Sequence, residues 1–177
     1  MEVRDLTVRF GDKLVFDHAD FTFPDQGLTL LAGPSGVGKT TLLKALFDRY
    51  PTDSAFLFQE DRLFPWRTVE QHLLDVMPTP DRALAAELLD FVELTGEERS
   101  YPAQLSGGMA RRLALGRCLA LPSARLLLDE PFAGVDPARQ ARILERLKAL
   151  QKPMVMTGHQ ESLRAWADQV IDLSPRA

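Results

Sequence analysis

The feature that most constrains this chain is the stretch Gly33-Pro34-Ser35-Gly36-Val37-Gly38-Lys39-Thr40-Thr41. It meets the phosphate-binding loop pattern G-x-x-x-x-G-K-[ST] at every required position. Such a loop works only between a buried strand and the start of a helix, so it dictates the structure on both sides. The context complies. Leu28-Thr29-Leu30-Leu31-Ala32 reads as a short buried strand, and Thr41 to Tyr50 as a helix with Leu42, Leu43, Leu46 and Phe47 on one face, stopped before Pro51. The glycines let backbone N–H groups approach phosphate oxygens where a side chain would collide. Lys39 supplies a point charge for the β- and γ-phosphates, Thr40 offers a hydroxyl to Mg²⁺, and the helix start faces the anion. The expected ligand is a nucleoside triphosphate.

Bulk properties narrow the alternatives. With 177 residues the chain is expected to form one domain spanning 1–177. Its net charge of -4 gives no general attraction to nucleic acid or anionic lipid. A single cysteine, Cys118, excludes an internal disulfide framework and reads as a helix-core residue among Leu113, Leu115 and Leu119. No signal peptide is apparent after Met1, and no stretch approaches the roughly 20 apolar residues that cross a bilayer.

Residues 2–10 alternate in polarity, Gly11-Asp12 signals a turn, and Lys13 to Phe23 can supply the partner strand. On pattern alone Phe10 is a core residue, because strand aromatics usually pack inward. Ala55-Phe56-Leu57-Phe58 reads as a second buried strand ending at Gln59, where ligands bind in open α/β sheets. Leu63, Phe64 and Trp66 around Pro65 form an apolar patch in a polar loop, either folded under or offered to a partner. Thr68 can cap a helix through Met77, and Pro80 can begin another to about Val92. Ser106 is a good N-cap, and Gly107-Gly108 behind it leave bare N–H groups for a second phosphate site.

Arg125-Leu126-Leu127-Leu128 is a buried strand running into Asp129-Glu130, adjacent carboxylates that are costly unless a cation or substrate uses them. Asp129 can hold Mg²⁺ while Glu130 polarises a water. Asp136-Pro137 caps a helix to Leu150, and Met154-Val155-Met156 is a strand ending in Thr157-Gly158-His159. His159 at a strand's carboxyl end is a candidate ligand group, whereas His18 and His72 have no such context. Val170 to Leu173 reads as a last edge strand.

In this order the motifs resemble those of an ATP-binding cassette (ABC) ATPase over nearly the whole chain: the P-loop, Gln59, Leu105-Ser106-Gly107-Gly108, Asp129-Glu130-Pro131, Asp136 and His159. Phe10 stands where that family stacks an adenine ring. Pro102-Ala103-Gln104, Arg112, Arg117 and Phe132 match its flanks. The resemblance implies an α/β P-loop NTPase fold with a mixed β-sheet core and a helical subdomain at roughly 60–118. It implies a head-to-tail dimer, with Ser106, Gly107 and Gly108 acting on the other protomer's ATP, beside Asp136 of the D-loop. Lys39 and the loop from Gly33 to Thr41 would hold phosphates. Thr40, Gln59 and Asp129 would serve Mg²⁺, Glu130 would be the general base, and His159 would contact the γ-phosphate.

Leu63 to Val69 resembles the segment after the Q-loop in importer ATPases of the nitrate, sulfonate, taurine and thiamine type. There it receives a cytoplasmic helix of the membrane permease, which favours a partner surface for this patch. The implied protein is the ATP-hydrolysing subunit of an importer, peripheral at the inner face of the cell membrane, without nucleic acid. The competing readings are a soluble ABC ATPase acting on nucleic acid or ribosomes, and a cassette with little turnover. Three departures stand out: Met109 replaces the usual glutamine, Gln160 replaces an acid, and Gln59 follows Lys39 by only 20 positions. The last implies a trimmed antiparallel hairpin between 42 and 55. With no extension expected after the last strand, the pattern is that of a minimal cassette.

Overall fold

Short apolar runs with no polar alternation build a sheet that is covered on both faces. In a computed structural model of the chain, which describes residues 1–158 and 161–174 apart from the side chains of Glu161 and Ser162, β3 (Leu28–Ala32), β4 (Ser54–Leu57), β5 (Arg125–Leu128), β6 (Met154–Thr157) and β7 (Gln169–Asp172) form a parallel sheet ordered β4-β5-β6-β3-β7. Side chains along each strand divide between two cores by the two-residue period. Leu28, Leu30, Leu126, Leu128, Met154 and Met156 face one, while Leu31, Leu127 and Val155 face the other.

The second core is closed by α1 (Lys39–Arg49), through Leu42, Leu43 and Leu46, and by an antiparallel pair, β1 (Glu2–Phe10) with β2 (Lys13–Thr22). This pair is a separate two-stranded sheet, so parallel and antiparallel pairing are both present without sharing one ladder. The first core is closed by α2 (Val69–Leu74), α3 (Arg82–Phe91), α4 (Gly107–Ala120) and α5 (Pro137–Ala149). A four-residue helix, α6 (Glu161–Arg164), precedes β7. Between α1 and β4 the chain makes only a turn, with no hairpin.

Local signals place the helix starts. Thr68 caps α2 in a capping box with Gln71, Ser106 caps α4 and Asp136 caps α5. α3 begins one turn signal later than Pro80 suggests, because Asp81 accepts from the Ala83 and Leu84 amides. α2 ends at Leu74, short of Met77. Cys118 is buried as expected, and burial pushes its thiol up to about 12. Among the described residues no helix is long and apolar enough to cross a membrane.

Candidate nucleotide site

Because all strands of the main sheet are parallel, their carboxyl ends share one edge, and the polar residues that follow β3, β4 and β5 collect there with Thr157 at the end of β6. The loop after β3 turns into α1 through Gly38, whose φ of 113° is closed to ordinary side chains. No side chain caps α1, so its first amides are free to meet an anion. A cleft of about 320 Å³ opens over this helix start. Phe10, Ser35, Gly36, Gly38, Lys39, Thr40, Thr41, Gln59 and Glu130 line it, together with Lys13 and Val15.

Phe10 is 62% exposed, which sets aside the core position that its strand pattern suggests. It ends β1, where the ladder stops and the hairpin turns, so no second layer covers it. Lys39 is buried, and its Nζ donates to the Gly33 carbonyl (2.8 Å) and the Pro34 carbonyl (2.9 Å). Burial lowers the pKa of its ammonium, against the opposing charges of Glu130 and Asp129. The lysine is thus tethered to its own loop with a positive charge at the cleft floor.

Under the cleft Asp129 is 2% exposed. The Thr40 hydroxyl donates to its Oδ2 (2.7 Å), and the Thr157 hydroxyl donates to its Oδ1 (2.7 Å). Thr157 also accepts from the Glu130 amide (2.8 Å). Glu130 adopts φ 49°, a left-handed conformation uncommon for a residue with a Cβ. Among the described residues no group of His, Cys, Asp and Glu is assembled to hold a metal by itself. The donor set of one hydroxyl, one carboxylate and the nearby Gln59 instead suits Mg²⁺, which takes few protein ligands and completes its shell with substrate phosphates and water.

Ser106, Gly107 and Gly108 do not line this cleft. Ser106 and Gly107 are exposed, and the Ser106 hydroxyl accepts from the Met109 amide (3.3 Å). Gly108 abuts Gly134, so a Cβ there would press on the Gly134 carbonyl oxygen. Asp136, two residues further on, is half exposed and accepts from the Arg139 amide (3.0 Å). Pro34 and Val37 face a neighbouring hollow of about 280 Å³, with Lys13, Leu14 and Val15. His159 lies outside the described residues.

Sequence reasoning passed over Thr157 as a functional group and missed Arg111 entirely. Arg111 is 2% exposed and donates to the Glu130 carbonyl (2.8 Å) and to the Asp129 carbonyl. The available signal was its position: on α4, 111 shares a helical face with the buried Leu115 and Cys118, where a charge needs partners.

Beside the site, Leu63, Phe64, Arg117 and Leu121 line a groove of about 550 Å³, floored by Phe56, Leu57 and Phe58. Phe64 is 45% and Trp66 69% exposed, their rings stacked at 5.5 Å. His72, which has no functional context in the sequence, is buried beside Phe64. Its Nε2 accepts from the Phe64 amide (2.9 Å) while Nδ1 donates to the Thr68 carbonyl (2.8 Å).

Residues 48–133 match the ABC transporter family model. Over 160 residues the chain is 41% identical to the aliphatic sulfonates import ATP-binding protein SsuB 3 of Paraburkholderia xenovorans (strain LB400), covering 85% of this chain but only 65% of that relative's length. It is 33% identical over 190 residues to the corresponding SsuB 2 of Rhodococcus jostii (strain RHA1), covering 98% of this chain and 78% of the relative. The fold is shared with a dimeric bacterial ABC transporter cassette at TM-score 0.84 and 22% identity, over 98% and 94% of the two chains.

Proposed function

Since this chain belongs to the ABC transporter family of ATP-binding proteins, we propose that it binds and hydrolyses ATP to energise a separate membrane permease, as the motor subunit of an importer. The observation that carries the reading is the contact of Thr40 with Asp129 across 2.7 Å, beside Glu130 at the mouth of the cleft. It joins the phosphate loop to the paired carboxylates, the two halves that phosphoryl transfer requires.

In this reading the α1 amides and Lys39 hold the phosphates, and Phe10 stacks on the adenine. Thr40, Asp129 and Gln59 would hold Mg²⁺, which when bound neutralises charge on the phosphate oxygens. Glu130 takes the proton of the attacking water, with its backbone fixed by Thr157 and Arg111. The exposed Ser106 and Gly107, with Gly108 beside them, serve the nucleotide of a second copy of the chain, next to Asp136. His159 is proposed to meet the γ-phosphate. The work is positioning and charge placement by groups set in place before the substrate arrives.

The groove lined by Phe64, on which the exposed Trp66 stacks, is proposed as the seat of the permease, which would hold the protein at the inner face of the cell membrane. Its apolar floor and exposed stacked aromatics favour an apolar protein segment over nucleic acid. The names of the sulfonate import relatives support the importer direction.

The test is Glu130→Gln. ATP binding should persist while steady-state turnover falls about 10²–10⁴-fold, the usual contribution of a general base. Unchanged turnover would remove Glu130 from the role assigned to it. A wild-type protein that binds no ATP would overturn the whole reading.

A further inference from the structure

We propose that Arg111 is a positioning residue for the reaction, holding Glu130 and the Gln59 loop in one fixed relation. The proposal rests on the roles given above to those two residues and adds what sets their geometry. Its side chain is 3% exposed. Nη1 donates to the Phe58 carbonyl (2.7 Å), the Gln59 carbonyl (3.2 Å) and Asp61 Oδ1 (2.8 Å). Nε donates to the Glu130 carbonyl (2.8 Å), and Nη2 to the Asp129 carbonyl. A guanidinium offers five N–H donors in a rigid planar fork, and this site uses both arms and the stem nitrogen.

The partners are the segments that leave β4 and β5. Their ladder ends at Leu57 opposite Leu128, followed by one last bond from the Asp129 amide to the Leu57 carbonyl (3.0 Å). Beyond that point β4 and β5 diverge into Gln59 and Glu130, and Arg111 bonds to both as the sheet no longer can. The left-handed backbone of Glu130 is held on both sides, its N–H by Thr157 and its C=O by Arg111. A conformation of this kind persists only where its surroundings over-determine it. Six residues further along the same helix, Arg117 donates to the Arg62 carbonyl (2.8 Å) and continues the support toward the groove. Movement of the segment 58–62 is thereby carried to the backbone of Glu130.

The experiment compares the full chain with Arg111→Met, Arg111→Lys and Asp61→Ala. The last removes one acceptor at a partly exposed edge and should leave the fold intact. Turnover and KM for MgATP, thermal stability, and amide exchange across residues 57–62 and 129–131 are measured together. Arg111→Met should lower kcat about 10–100-fold, the usual cost of losing a supporting contact behind a reactive group. KM should stay within about threefold, since the lost interaction belongs to the transition state rather than to binding. Arg111→Lys should recover part of kcat, and Asp61→Ala should lose a few-fold at unchanged melting temperature. Exchange at 57–62 and 129–131 should quicken in both Arg111→Met and Asp61→Ala. A kcat equal to wild type in Arg111→Met, or in Asp61→Ala should Arg111→Met not fold, would overturn the proposal. So would a lower melting temperature with kcat intact. If the wild type itself fails to hydrolyse ATP, the functional reading falls, and the exchange data alone decide Arg111: unaltered protection in both segments would overturn it.

Discussion

Thr157 is fully buried and serves two residues with one oxygen, donating to Asp129 and accepting from the Glu130 amide. Thr157→Val keeps the shape and strands both partners. The expected cost is about 1–3 kcal/mol of stability from unsatisfied buried groups, read from urea denaturation midpoints, together with a fall in kcat of about 10–100-fold. A valine variant with full activity would show that Glu130 is placed without it. His72 makes a second prediction. Its Nε2 must be unprotonated to accept from Phe64, and burial lowers its pKa below the ordinary value. As pH falls below about 6.5 the unfolded chain takes up that proton before the folded one does. The stability His72 contributes is therefore complete above that pH and declines as acid approaches the lowered folded value. Denaturation at pH 7.5 and 5.0 should show a smaller loss in His72→Gln than in the wild type. An equal loss would contradict the assigned tautomer.

At the scale of elements, Gly108 at the start of α4 touches Gly134 in the loop after β5. Gly108→Ala forces a methyl against the Gly134 backbone carbonyl and should cost about 1–3 kcal/mol, as overpacking does, measured as a lower melting temperature. Normal stability in this variant would show that the loop gives way freely. Much of this level was legible in the chain itself. β3, β5 and β6 declared themselves as apolar runs ending in chemical groups, and Thr68, Ser106 and Asp136 as caps, because both signals are local. What escaped was non-local. Nothing near Met154 says that β6 inserts between β3 and β5, since parallel order depends on crossovers rather than on neighbours. Arg111 and His72 escaped because a charged or polar residue on a helix ordinarily reads as solvent-facing, and only the distant carbonyls of Asp129 and Glu130 and the amide of Phe64 identify them as buried. Phe10 escaped the strand pattern alone, in the opposite sense, as an aromatic whose covering layer is absent; only the family resemblance set it beside a nucleotide.

For the whole molecule, the exposed Ser106 and Gly107 are consistent with the proposed action on another copy's nucleotide. Glu130→Gln should elute as a dimer with MgATP on size exclusion, and adding Ser106→Arg should return it to monomer through a clash at the shared phosphate. A dimer that survives the second change would exclude the head-to-tail arrangement. In the proposed head-to-tail dimer, α4 would set a timing. Its 14 residues span about 21 Å at the rise of an α-helix, with Ser106 at one tip, Arg111 in the middle and Arg117 at the groove. A push from the permease on such a stiff rod would reach the neighbouring subunit's ATP at the tip and the home subunit's ATP through the middle in the same stroke. In the proposed dimer, two pockets driven off one shaft would have little means of firing out of step.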